Sequence, residues 1–128
     1  IIKPYYQMLI YPVLDKRMMT LSMNKYTDTP MWNAKLNKKM WTYYLGNREY
    51  ISPNERQDLS EIPPTYIEVA EFDCLHDEGI EFANKLLNSG VDVSLYETEK
   101  TMHGYDIQKC DITNTAIRKR IEILNSMG

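Results

Sequence analysis

Three short runs rich in β-branched and aromatic residues recur along the chain, and the stretches between them carry helical spacing or turn chemistry. The runs cover residues 5–11, 65–70 and 91–96. The first is mostly apolar and stops at Pro12, as expected of a strand buried on both faces of a parallel sheet. The third alternates apolar with polar or small residues. Between the second and third, Ile80, Ala83 and Leu87 repeat at helical spacing, and Ser89-Gly90 supplies the stop. A last helix is expected over residues 111–126, with Ile117, Ile121 and Leu124 on one face. The order strand, helix-rich insertion, strand, helix, strand, helix predicts an α/β fold: a mostly parallel sheet of about three strands, right-handed crossovers, and flanking helices.

The insertion is less regular. Residues 13–26 have no clean period and read as irregular structure. Thr29-Pro30 looks like an N-cap followed by proline at the first helical position, and Gly46 closes the pattern, which predicts a helix over residues 30–45. Its aromatics, Trp32, Trp41, Tyr43 and Tyr44, suit core or cap packing, with pocket lining as the sharper alternative. Residues 46–64 hold Ser52-Pro53-Asn54, Asp58 and Pro63-Pro64, which is the chemistry of a connection.

With 128 residues, 43% hydrophobic and 26% charged, the chain can bury one modest core. A net charge of -3 provides no global positive field, which argues against nucleic acid or an anionic membrane surface as partner. Lys38-Lys39 and Arg118-Lys119-Arg120 read as solvated helix faces. Cys74 and Cys110 are expected to be free thiols, pointing to a reducing, cytoplasmic setting. No run approaches the ~20 apolar residues of a membrane span. The chain starts at Ile1 and enters an apolar strand pattern within a few residues, so it is expected to be part of a longer polypeptide.

In an open parallel sheet, functional side chains collect in loops beyond the carboxyl ends of the strands. Two loops qualify, residues 71–79 and 97–105. One strand-helix-strand unit separates Asp73 in the first from His103 in the second. Neighbouring strands lie ~4.8 Å apart, so the carboxylate can reach the imidazole. Such a pair selects the imidazole tautomer and stabilises the imidazolium formed when histidine takes a proton from a nucleophile. A simpler reading stands beside it, in which Asp73 caps the next helix and His103 is an exposed loop residue. Asp77 and Glu78 read as favourable charges in a first helical turn, Glu71 lies close to the strand end, and His76 reads as a surface residue.

Several segments also resemble one family. The run from Gln7 through Tyr11-Pro12 to Asp15 resembles the strand after the nucleophile helix in hormone-sensitive-lipase-like α/β-hydrolases. Ser52-Pro53, Asp58-Leu59 and Ile62-Pro63-Pro64-Thr65 resemble the approach to that family's next core strand. Glu71-Phe72-Asp73-Cys74-Leu75-His76-Asp77-Glu78-Gly79 resembles its acid loop, D-P-L-x-D-E-G, with cysteine in place of proline. Met102-His103-Gly104-Tyr105 resembles its terminal H-G-F element, with tyrosine in place of phenylalanine.

The resemblance implies a partial α/β-hydrolase domain over residues 1–128. About 16–50 would be a cap-like helical insertion, and about 62–128 the β-α-β-α unit that carries Asp73 as triad acid and His103 as triad histidine. It further implies a serine carboxylesterase or lipase acting on small or short-chain esters, without metal or cofactor, and Tyr105 as a pocket residue. The H-G-G-G and G-x-S-x-G motifs of the family occur nowhere in the chain. Ser22, Ser52, Ser60, Ser89, Ser94 and Ser126 all lack the flanking glycines of a nucleophile elbow, so the nucleophile is expected upstream and the chain alone is expected to be inactive. A serine peptidase of the same fold and a non-catalytic interaction module are the alternatives. The first strand, without a neighbour on one side, is expected to promote self-association.

Overall fold

The computed structural model describes residues 2–128. Three parallel strands, β1 (Gln7–Ile10), β2 (Thr65–Ala70) and β3 (Val93–Thr98), form one sheet in the order β1-β2-β3. Four helices accompany them: α1 (Leu21–Lys25), α2 (Ala34–Leu45), α3 (His76–Asn88) and α4 (Asp111–Ser126). The α/β class, the parallel sheet and the flanking helices are as the alternating pattern predicts.

β2 is the central strand, and all six of its residues are buried. Its side chains alternate between two environments, as the period of a strand demands. Ile67 and Val69 join Leu14, Leu59, Phe82, Ala83, Leu86 and Val91 in the main core beneath α3. Burial of each of these side chains larger than alanine contributes about 1.5–3 kcal/mol. Tyr66 and Glu68 occupy the opposite face. A smaller cluster of Met23, Cys74 and Leu75, with Val13, Met18, Tyr26 and Trp32 packed around it, fastens the insertion to the loop after β2.

Element boundaries depart from the sequence pattern in four places. β1 is shorter than residues 5–11, and its side chains are half-buried rather than buried on both faces, because among the described residues only β2 pairs with it. β3 runs from Val93 to Thr98, later than residues 91–96, since Val91 N–H still bonds Leu86 O at the end of α3. The stretch read as irregular contains α1, which Thr20 caps by accepting the Met23 N–H. Finally, α2 starts at Ala34 instead of Pro30. Thr29 Oγ1 donates to Trp32 O, Met31 has φ +68°, and Asn33 caps the helix by accepting the Leu36 N–H at 2.9 Å.

Three charge assignments change as well. Glu78 is buried instead of decorating a helix start: its Oε2 accepts the backbone N–H groups of Leu14 and Asp15, the latter at 2.8 Å. Arg120 leaves the solvated face of α4 to pair with Glu68 and Asp106. His76 is partly buried and bonded on both nitrogens, to Asp77 Oδ1 at 2.7 Å and Glu97 Oε1 at 2.8 Å. Burial opposes charge there, but the two carboxylates outweigh it and raise the His76 pKa. Cys74 and Cys110 are both free.

Candidate active site

β2 and β3 end side by side, and the loops that leave them are stitched together by backbone bonds. Glu71 N–H donates to Thr98 O at 3.1 Å, and Phe72 N–H to Thr101 O at 2.8 Å. Lys100 turns with φ +56° and donates its N–H to the Glu71 carboxylate at 2.7 Å. Thr98 and Thr101 share a hydroxyl contact at 2.7 Å beneath the turn. These bonds fix the separation of the next few residues on each loop, which are Asp73 and His103.

Asp73 is buried, and its two oxygens do different work. Oδ1 accepts the Leu75 N–H at 3.0 Å, holding the loop as it enters α3. Oδ2 lies 2.8 Å from His103 Nδ1. An ionised carboxylate can only accept, so in the tautomer that fits this contact Nδ1 donates, and in the neutral imidazole Nε2 then carries the lone pair. Among the described residues no side chain or backbone group hydrogen-bonds Nε2. The residue after the histidine, Gly104, has φ +77°, and a Cβ there would lie 3.2 Å from Met31 Cε, so glycine suits the turn that sets His103.

Aromatic rings bracket the imidazole. The Tyr11 ring centroid is 4.1 Å from that of His103, and the Trp32 centroid 5.9 Å. His103 forms part of the wall of a cavity of about 350 Å³ that Val13, Trp32, Met40, Trp41, Tyr44 and Tyr50 complete. The wall is apolar and aromatic apart from the imidazole, which suits an uncharged organic group better than an ionic one. Tyr105 lies away from this cavity. Its hydroxyl donates to Glu68, and its side chain borders a second cavity of about 440 Å³ with Met31, Phe72 and Ile107.

The structure therefore brings Asp73 and His103 together, while the competing acids are occupied elsewhere: Glu71 on the Lys100 N–H, Asp77 on the Ser22 N–H, Glu78 on the turn after β1. Among the described residues, no serine hydroxyl or cysteine thiol hydrogen-bonds His103. Burial pushes the Cys74 thiol up to about 12, which leaves it protonated at neutral pH. Sequence reasoning missed Tyr11, Asp106, Arg120 and Glu68, which join into one polar chain behind the histidine. One signal was available: a glutamate in the middle of an otherwise buried strand needs hydrogen-bonding or cationic partners, and the basic run in the last helix could supply one.

A family profile described as the alpha/beta hydrolase fold matches residues 1–107. The chain belongs to the α/β-hydrolase fold family. Similarity to individual members of this family agrees with the resemblance to hormone-sensitive-lipase-like esterases. Esterase LipI of Mycobacterium tuberculosis is 30% identical over 108 residues, covering 78% of this chain and 33% of that protein. Vegetative-specific protein H5 of Dictyostelium discoideum is 32% identical over 128 residues, covering 94% of this chain and 37% of that protein. Among solved structures, a bacterial heroin esterase superposes with a TM-score of 0.86 at 35% identity, over 90% of this chain and 40% of its own. The chain thus spans about a third of the length of the curated relatives it matches. Among the described residues no helix is long and apolar enough to cross a membrane.

Proposed function

We propose that the chain supplies the acid and the general base of a serine carboxylesterase acting on small or short-chain esters, with the nucleophilic serine and the oxyanion donors carried outside these 128 residues. The observation that carries the reading is the 2.8 Å bond from His103 Nδ1 to buried Asp73, with no hydrogen bond to Nε2 among the described residues. His103 would take the serine proton through Nε2 as the hydroxyl attacks the ester carbonyl. Asp73 would stabilise the imidazolium without itself taking the proton. The same proton would then pass to the departing alkoxide, leaving an acyl-enzyme. In the second half His103 would deprotonate a water that cleaves the acyl group and returns the serine. Membership of the α/β-hydrolase family and the similarity to proteins named as esterases support this chemistry. The insertion at about 16–50, with α2, fits a cap whose aromatics wall the 350 Å³ cavity for the ester's apolar part. Tyr105 fits a supporting place beside the second cavity rather than contact at the imidazole.

The test is hydrolysis of p-nitrophenyl acetate by the longer polypeptide that contains this chain. Asp73→Asn is expected to lower kcat by about 10⁴-fold, because the amide favours the wrong imidazole tautomer, and His103→Ala to abolish triad turnover. The 128-residue chain by itself should show no turnover above buffer. Robust hydrolysis by the chain alone that depends on His103, or full activity of the His103→Ala polypeptide, would overturn the reading.

A further inference from the structure

Glu68 has no exposed surface, yet it sits in the middle of the central strand, on the face opposite the Ile67 and Val69 core. Arg120 on α4 accounts for it. Nε donates to Glu68 Oε2 at 3.1 Å, and Nη2 to Oε1 at 2.6 Å. The third nitrogen, Nη1, donates to Asp106 Oδ2 at 2.8 Å. Asp106 Oδ1 in turn accepts the Tyr11 hydroxyl at 2.9 Å, and the Tyr11 ring lies against the His103 imidazole. The hydroxyls of Tyr66 and Tyr105 also donate to Glu68. An unbroken polar chain therefore runs from the central strand to the ring that faces the histidine.

Two features show that Tyr11 is constrained and not simply packed. Its backbone has φ +35°, a conformation that a bulky side chain adopts only when its surroundings impose it. Its N–H is held by Glu68 O at 2.7 Å, so the same residue of β2 anchors the Tyr11 backbone directly and its hydroxyl through Arg120 and Asp106. Two carboxylates sharing one guanidinium in a partly buried site is also an expensive way to fill space, since apolar side chains of similar volume often do so at lower free energy.

We propose that Tyr11, tethered by Asp106 and Arg120, is a positioning residue for His103: Asp73 holds the edge of the imidazole and Tyr11 holds its plane. The proposal rests on the reading of His103 as general base. With only Nδ1 pinned, the ring can still swing about that bond and carry Nε2 away from a reacting hydroxyl. A ring centred 4.1 Å from the imidazole and tilted 51° to it blocks that swing, provided the tyrosine cannot itself swing away. The hydroxyl bond to Asp106 holds the far end of the side chain and so prevents the swing about χ1, and Arg120 keeps Asp106 in place. Misplacement of a catalytic group by about 1 Å lowers rate by as much as about 100-fold.

The experiment measures kcat and KM for p-nitrophenyl acetate in the longer polypeptide carrying Tyr11→Phe, Asp106→Ala, both together, Asp106→Asn and His103→Ala. Tyr11→Phe keeps the ring and removes the tether, so kcat is expected to fall about tenfold with KM within about twofold. Asp106→Ala should do the same, and the double variant should be no worse than either single one, because both cut one link. Asp106→Asn retains an acceptor for the tyrosine and should recover part of the loss. If His103→Ala abolishes turnover while Tyr11→Phe has wild-type kcat, or if the two single effects multiply in the double variant, the positioning role is overturned and the base assignment stands. If His103→Ala leaves turnover intact, the base assignment fails and the positioning role falls with it.

Discussion

Glu78 shows how far one carboxyl can depart from the behaviour of its type. It stands in the first turn of α3, where a negative charge favours the helix dipole, yet its side chain turns inward and binds the Leu14 and Asp15 N–H groups. Burial, with added repulsion from Asp15 and Asp73, outweighs those donors and pushes its pKa up to about 8 from an ordinary 4.5. The native state therefore holds a proton between those two values that the unfolded chain has released. Stability from this group is fully present below about pH 4.5 and is lost as pH rises towards 8. Glu78→Gln keeps a carbonyl oxygen for both N–H groups and cannot ionise. In thermal melts from pH 5 to 8, the wild-type Tm should fall relative to that of Glu78→Gln, a relative loss on the order of a few kcal/mol at pH 8. Taking the difference between the two proteins cancels the titration of His76. Parallel Tm profiles would mean that Glu78 is ionised throughout.

At the scale of elements, the contact that sets the sheet against its helix is the approach of α3 to β2. Gly79 lies so close to the strand that a Cβ built on it would fall 2.5 Å from Val69 Cγ1. Val69 is buried and stiff about χ1, so it cannot swing aside, and the helix must lift. Gly79→Ala gains up to about 1 kcal/mol of helix propensity and loses about 1–3 kcal/mol to overpacking. The expected result is a net loss on the order of 1 kcal/mol in urea unfolding, recovered in part when Val69→Ala opens the space; an unchanged or raised midpoint for Gly79→Ala alone would contradict the close packing. The same elements show what local sequence can convey. β2 and α4 lie where their residues predict, because Thr65 to Ala70 is bounded by prolines and an acidic loop, and the α4 pattern runs unbroken from Asp111 to Ser126. The start of α2 was hidden, since it depends on the Met31 left-handed turn and on Ala34 N–H reaching back to Tyr26 O. Strand order permitted the pairing of Asp73 with His103, and the resemblance of their two loops to the hydrolase family singled it out from the capping alternative. The tether was not, because the bond from Tyr11 to Asp106 spans 95 positions and no short-range pattern encodes it.

Among the described residues the sheet has two open edges, β1 and β3, and the β1 edge bears on how the molecule behaves in solution. β1 ends the sheet, and among the described residues no strand lies beyond it. Gln7 N–H bonds Pro64 O and Tyr11 N–H bonds Glu68 O, so the odd-numbered residues of β1 turn their backbone groups to β2. By the alternation of a strand, Met8 and Ile10 turn theirs outward, where they form a template for another strand. The neighbouring surface is apolar as well, with Ile2 and Tyr5 exposed before the strand. The isolated chain is therefore expected to self-associate edge to edge at micromolar concentrations, giving a weight-average sedimentation coefficient that rises with loading. Met8→Pro removes an outward N–H without touching the β1-β2 ladder, and proline is tolerated on an edge strand. That variant should remain monomeric over the same range with an unchanged far-ultraviolet circular dichroism spectrum. A wild-type chain that sediments as a single monomer at every concentration would show that the outer edge of β1 is not a pairing surface, whereas association that persists in Met8→Pro would move the interface elsewhere, to the outer edge of β3 or to the half-exposed Ile117, Ile121 and Leu124 of α4.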